Sequence, residues 1–204
     1  MGLNETDIVK ALGSGPAGQR SDYDLNGGQP RTEALPETPA AVLCGLVPRA
    51  AGLTVVLTRR ARHLRRHAGQ IAFPGGKVEP SDRSAVAAAL RESEEEVGLG
   101  PHDVRVLGCL DVYRTVTGFR VTPVVGVVDP GWTPQLDPTE VDLLFEVPLD
   151  FLMDPANCAR HSYQRGSERR HYYAMPWGEH YIWGATAGML KALADRIADV
   201  RHRA

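Results

Sequence analysis

Residues 91–96 read Arg91-Glu92-Ser93-Glu94-Glu95-Glu96, a guanidinium followed by four carboxylates in five positions. At about 100° per residue, a helix gathers Glu92, Glu95 and Glu96 into an arc of roughly 100°. Val86, Leu90, Ser93 and Val97 mark a different, mostly apolar face, so one side packs while the other presents acids. The acids repel one another at one-turn spacing and stand at the negative end of the helix dipole, each at a cost of about a few tenths of a kcal/mol. A sequence shaped for stability alone would carry Lys or Arg here. The departure points to function, because clustered carboxylates on a rigid element are what a hard divalent cation such as Mg²⁺ requires. Arg91 and Glu95, four apart, form an ion pair that orients the carboxylate. The plain alternative is a solvated acidic helix end, and the segments before the helix weigh against it.

Those segments are a glycine loop, Gly75-Gly76-Lys77-Val78-Glu79-Pro80-Ser81-Asp82, and a basic stretch, Arg59 to His67. The spacing predicts a helix over 83–97, with Ser81 or Asp82 as its cap and Gly98 as its stop. Paired glycines permit a tight turn and let backbone carbonyls approach a cation, which makes Gly76 a candidate at a metal site. The basic stretch holds five arginines and two histidines in nine residues. Arginine offers a planar fork matched to phosphate oxygens, so the stretch reads as a phosphate clamp; a solvated loop balancing the glutamates is the alternative. His63 and His67 stand four apart but lack an HExxH setting, which favours phosphate or surface contacts over zinc.

Gly76, Asp82 and the run Arg91-Glu92-Ser93-Glu94-Glu95-Glu96-Val97-Gly98-Leu99 resemble the signature of the Nudix hydrolases: a Gly, an acid, then Arg-Glu-apolar-x-Glu-Glu-x-Gly-apolar. Ser93 stands where an apolar residue is usual, and Gly76 lies one residue further from Arg91 than the common spacing. Leu57-Thr58-Arg59-Arg60-Ala61, then Arg65, Gly69 and Phe73-Pro74-Gly75-Gly76, is similar to the pattern that distinguishes coenzyme A diphosphatases within that family, a subgroup that tolerates the longer form. Tyr181 to Ala187 also resembles that subgroup near its carboxyl end. The two main motifs cover about residues 56 to 99.

The resemblance implies an α+β fold of the Nudix type, an α/β/α sandwich with a mixed central sheet. It implies hydrolysis of the diphosphate bond of coenzyme A or acyl-coenzyme A to 3′,5′-ADP and 4′-phosphopantetheine or its acyl form, with Mg²⁺ or Mn²⁺. Glu92 and Glu96 are the first metal ligands it implies, with Glu95 and Gly76 beside them, Arg91 in support and Glu140 as a further glutamate from a later loop. The general base stays open between the helix glutamates and Glu140. Arg59, Arg60, Arg65, Phe73, Gly75 and Gly76 are the implied substrate-binding positions. The rival readings are a Nudix diphosphatase for ADP-ribose, NADH or a nucleoside triphosphate, and a Nudix-fold sensor without turnover. The sensor's hallmark is loss of the helix glutamates, and all are present.

The elements that must position these residues are legible in part. A chain of 204 residues with 43% hydrophobic composition suits one core. Residues 36–204 are expected to form the domain, and residues 1–35, rich in Gly, Ser, Asn and Pro, a poorly ordered or loosely docked extension with a short helical hint from Thr6 to Leu12. Pro39 to Val47 and Leu53 to Thr58 predict a hairpin, and Val104 to Tyr113 and Phe119 to Asp129 predict strands. Periodicity does not decide whether the apolar run ending at Val147 is helix or strand. Arg160 to Gln164 and Arg169 to Met175 predict a second hairpin around Gly166-Ser167, and Tyr181 to Val200 a terminal amphipathic helix. Trp177 and Trp183 read as core or pocket wall. A formal net charge of −2 gives no global field for nucleic acid, so any polyanion site must come from a local patch, and the resemblance implies a small-molecule substrate as the partner. Three cysteines without CxxC spacing suggest a reducing compartment, with Cys44 and Cys109 as small buried hydrophobes. No run of about 18 apolar residues and no leader pattern occurs, so a cytoplasmic location away from membranes is expected.

Overall fold

A computed structural model of the chain describes residues 2–15, 21–27, 37–166 and 168–203. Its axis is β1 (Thr38–Arg49), whose unbroken Ala-Ala-Val-Leu-Cys-Gly-Leu-Val run suits a strand covered on both faces. On one side β1 pairs in parallel with β7 (Phe119–Val128), from Thr38 opposite Phe119 to Leu46 opposite Val127. Its other edge is divided. Residues 40–42 pair with a short strand at Gly75–Lys77, and residues 46–49 pair with β2 (Gly52–Arg60), closing the expected hairpin with Arg49 opposite Gly52. Between the two partners, the Leu43 N–H donates to the Pro74 carbonyl at 2.8 Å. The sheet therefore splits at β1, and the glycine loop enters through the split.

In chain order the remaining strands of this mixed sheet are β3 (Ile71–Ala72), β4 (Gly75–Lys77), β5 (Val104–Cys109), β6 (Tyr113–Arg114) and β8 (Val141–Pro148). The run that periodicity left open is strand β8, antiparallel to β2 from Thr54–Pro148 to Arg60–Val141. Its partner decided the matter, since a short apolar run takes the form its neighbour can hydrogen-bond. A second sheet of β9 (Ala159–Arg165), β10 (Glu168–Trp177) and β11 (His180–Trp183) contains the predicted second hairpin. Ser167 of its turn lies outside the described residues.

Among the described residues four α-helices complete the layers: α1 (Glu5–Gly13), α2 (Ala85–Val97), α3 (Leu149–Met153) and α4 (Ala185–Arg203). Helix α2 lies on one face of the mixed sheet, where Ala88, Ala89 and Val97 meet Ala41, Leu43, Val56 and Val124. Helices α4 and α1 lie on the other, where Ile8, Leu190, Leu193 and Ile197 meet Leu46, Val55 and Leu57. The result is α+β, an α/β/α sandwich.

Three expectations change. The last helix begins at Ala185 rather than Tyr181, because Tyr181 and Ile182 pair with Pro176 and Met175 in β11 and Gly184 turns the chain with φ +64°. Ile182 still reaches the core, from a strand. The helical hint in the extension is α1, which is not loosely docked: Ile8 and Ala11 are fully buried, Arg105 holds Glu5 through two bonds of 2.7 and 2.8 Å, and Arg201 holds Asp7 at 2.8 Å. Residues 16–20 and 28–36 of the expected extension lie outside the described residues. Cys44 is buried as expected, whereas Cys109, at the end of an edge strand, is exposed.

Candidate active site

Helix α2 carries the acids, and its ends explain where they stand. The cap is Ser84, whose Oγ accepts from the Ala87 N–H at 3.1 Å, so neither Ser81 nor Asp82 starts the helix. Asp82 serves the site instead. It accepts from Arg91 Nε at 3.1 Å and Nη2 at 3.0 Å and from the Glu79 N–H at 2.8 Å, and the Arg91 bonds hold its carboxyl below the usual range. At the other end Gly98 adopts φ +69°, and the Gly98 and Leu99 N–H groups close on the carbonyls of Glu94 and Ser93. The carbonyls of Glu96 and Val97, which a helix end leaves without partners, accept from the N–H groups of Asp137 and Gln135 at 3.0 and 2.9 Å. The loop that ends at Glu140 is thereby folded back against the glutamates. Ser93, the departure from the apolar pattern, is fully buried and bonds the Ala89 carbonyl at 2.6 Å.

The three glutamates occupy different environments. Glu96 is 3% exposed; its Oε2 accepts from the Gly75 N–H at 3.1 Å and its Oε1 from Arg60 Nη1 at 3.4 Å. Burial pushes its carboxyl up to about 7, against the pull of the Gly75 N–H and Arg60, while Glu140 and Glu92 push the same way as burial. Glu92 is raised as well, first by burial, with Arg91 opposing and Glu95 and Glu140 adding to it. Three acids thus share one field, and Glu140 belongs to it. Glu95, expected as a further ligand, is turned outward: it is 59% exposed and bonded to Arg91 Nη1 at 3.1 Å. Arg91 also reaches the Lys77 carbonyl and Glu92, at 3.1 and 3.2 Å, and so ties loop to helix. Gly76 supplies clearance, because a Cβ there would collide with the Glu92 carboxylate.

The basic stretch divides. Arg60 faces α2. Arg59 falls by strand alternation with Val55 and Leu57 on the α4 face, where its Nε is buried with no hydrogen-bond partner among the described residues. A single phosphate grip by both is therefore replaced by one arginine on each face of the sheet. Arg65 is exposed. Phe73, expected to bind substrate, is 3% exposed within the α4-side core, where it anchors the Phe73-Pro74-Gly75 turn. The stretch is joined to the Glu140 loop by Ala61 N–H to the Glu140 carbonyl at 2.8 Å and Arg62 N–H to Asp142 Oδ2 at 3.2 Å. Sequence reasoning missed the Gly75 N–H, the Lys77 carbonyl and the loop amides of Gln135 and Asp137. These are backbone groups, which no residue type announces.

Among the described residues no three His, Cys, Asp or Glu side chains stand together as a ready-made metal cage. Arg91 draws Glu92 aside, while Arg60 and the Gly75 amide hold Glu96. The donor set nevertheless fits a hard cation: two carboxylates drawn out of water, Glu92 partly and Glu96 almost wholly, with a third acid in their field and a loop whose missing Cβ leaves room. Mg²⁺ commonly takes only one or two protein carboxylates and fills its shell with water and substrate oxygens.

The NUDIX domain profile matches residues 37–164. A protein of Citrobacter koseri named "Uncharacterized Nudix hydrolase NudL" is 44% identical over 183 residues, 87% of this chain and 92% of its own length. Its namesake in Escherichia fergusonii is 43% identical over the same shares. Among solved structures, that of a Nudix hydrolase from M. smegmatis, RenU, has 24% identity and a TM-score of 0.48, covering 56% of this chain and 72% of that one. The chain belongs to the Nudix hydrolase family. No helix among the described residues is long and apolar enough to cross a membrane.

Proposed function

We propose that the protein hydrolyses the diphosphate bond of coenzyme A or acyl-coenzyme A, yielding 3′,5′-ADP and 4′-phosphopantetheine or its acyl form, in the cytoplasm and with Mg²⁺ or Mn²⁺. The observation that carries the reading is the junction of basic stretch and acidic helix: Arg60 on Glu96, and the Ala61 amide on the Glu140 carbonyl. Diphosphate hydrolysis needs phosphoryl charge neutralised and a water aimed in line at phosphorus, so positioning and electrostatics do most of the work. Glu92 and Glu96 would hold the cation, which supplies charge neutralisation when bound. Arg91 orients Glu92 and Glu95, Asp82 fixes Arg91, and the proton of the attacking water goes to one of the helix glutamates or to Glu140. Arg60 and Arg65 offer cationic forks to a substrate that carries a 3′-phosphate besides its diphosphate, whereas Arg59, on the other face of the sheet, does not join them. In this reading residues 36–204 form the working domain, with α1 as a docked strut. The three cysteines, all free, suit a reducing setting.

The test is product analysis after incubation with Mg²⁺ or Mn²⁺ and, separately, coenzyme A, ADP-ribose, NADH and dATP. Release of 3′,5′-ADP from coenzyme A with little turnover of the others is the expected result. Glu92→Gln should lower that rate by about 100-fold or more. Preference for another of the four would keep the Nudix chemistry and remove the arginine argument. No turnover of any would favour a nucleotide-binding sensor.

A further inference from the structure

Three carboxylates, Glu92, Glu96 and Glu140, share the field at the end of α2, and Glu96 is almost wholly removed from water. A buried negative charge needs a counter-charge within reach. Arg91 does not serve Glu96, since its five hydrogen bonds go to Asp82, Glu92, Glu95 and the Lys77 carbonyl. Arg60 does. Its side chain is 27% exposed, and the bond to Glu96, at 3.4 Å, is the only hydrogen bond or ion pair that side chain makes among the described residues.

The way Arg60 is mounted matters as much as the contact. Its backbone is held on both flanks: its N–H donates to the Gln70 carbonyl at 2.9 Å, its carbonyl accepts from the Gly69 N–H at 3.0 Å, and the next amide bonds Glu140. The β2–β8 pairing shifts register between Arg59 and Arg60, an irregularity of the kind that re-aims a side chain at a sheet's edge. The root is therefore fixed, whereas the head is held by one long bond on a flexible stem. Neighbouring arginines are not built this way; Arg66 is exposed on the loop.

We propose that Arg60 is a positioning residue that stands in for the divalent cation. In the metal-free protein its guanidinium lies against Glu96 as resident counter-charge; when the cation arrives, like-charge repulsion expels it toward the substrate's phosphates. Arriving metal thus turns a carboxylate-bound arginine into a free one, and metal and anionic substrate assist each other through the same side chain. The inference rests on the metal-dependent reading above but not on the identity of the substrate.

Mn²⁺ binding to the purified protein, without nucleotide and at pH 8.5, tests it by electron paramagnetic resonance or calorimetry. With the competing cation removed, Arg60→Gln should bind Mn²⁺ about fivefold or more tightly than the parent. Arg60→Lys, which keeps the charge, should stay within about twofold of the parent, and so should Arg66→Gln, which removes an equal charge from the exposed loop. Unchanged or weaker binding by Arg60→Gln overturns the proposal while leaving the metal site intact. An equal gain in Arg66→Gln also overturns it, by assigning the effect to the loop's general field. Absence of Mn²⁺ binding to every form overturns both this inference and the metal-dependent chemistry, whereas loss of coenzyme A turnover alone touches only the substrate reading.

Discussion

At the scale of single residues, Glu96 sets stability against function. An unfolded glutamate loses its proton near 4.5, and the folded one holds it to about 7 because burial disfavours the charge. Between these values the folded state binds more protons than the unfolded, so stability of the metal-free protein falls as pH rises from about 4.5 to about 7 and levels off above. Glu96→Gln keeps an acceptor for the Gly75 N–H and removes the ionisation. In chelator at pH 8, urea denaturation should find the variant more stable than the parent by on the order of 1–3 kcal/mol, with little gain at pH 5. Its hydrolytic activity should be lost. Equal or lower stability at pH 8 would show that Glu96 is not destabilised by its burial.

At the scale of the element, α2 is an acidic helix whose C-terminus runs against the usual charge preference, and the loop 130–140 offsets the conflict. Gln135 and Asp137 close two of its carbonyls, Trp132 Nε1 donates to the Gly98 carbonyl at 2.9 Å, and the same loop ends at Glu140. Gly98 is where helix and loop meet: φ is +69°, and a Cβ there would stand 2.9 Å from the Gln135 Cβ. Gly98→Ala should cost about 1–2 kcal/mol for the left-handed backbone alone. It should also reduce turnover by displacing the loop. Thermal melting and steady-state kinetics check both; a variant with parental melting temperature and parental rate would mean that the loop holds Glu140 without this junction.

At the scale of the molecule, the sheet has two cores, and the site is built from one of them. The α2-side core carries the glutamates; the α4-side core reaches from Leu57 through Phe73 and Met175 to Ile8 in α1. Ile8 is fully buried although it lies in a stretch whose composition suggested a loose arm. Ile8→Ala should destabilise the whole protein by about 2–4 kcal/mol in urea denaturation, whereas a dispensable extension would give a change near zero.

The acidic helix, the glycine loop, the basic stretch and both hairpins were legible in the sequence because each is a local pattern: a period, a cap, a turn residue or a charge run has meaning within a few positions. What the local pattern left open was decided by partners far along the chain. Ser84 rather than Asp82 caps α2, because Arg91 claims Asp82 from nine residues away. The run at 141–147 is a strand because β2 offers it a ladder, and Tyr181 and Ile182 leave the last helix for the edge of β10. Arg59 and Arg60, indistinguishable as letters, face opposite layers because a strand alternates its side chains. Residue types could say that carboxylates and arginines lie close in sequence. That one arginine neutralises one buried glutamate is a matter of distance and desolvation, and those quantities exist only in the folded chain.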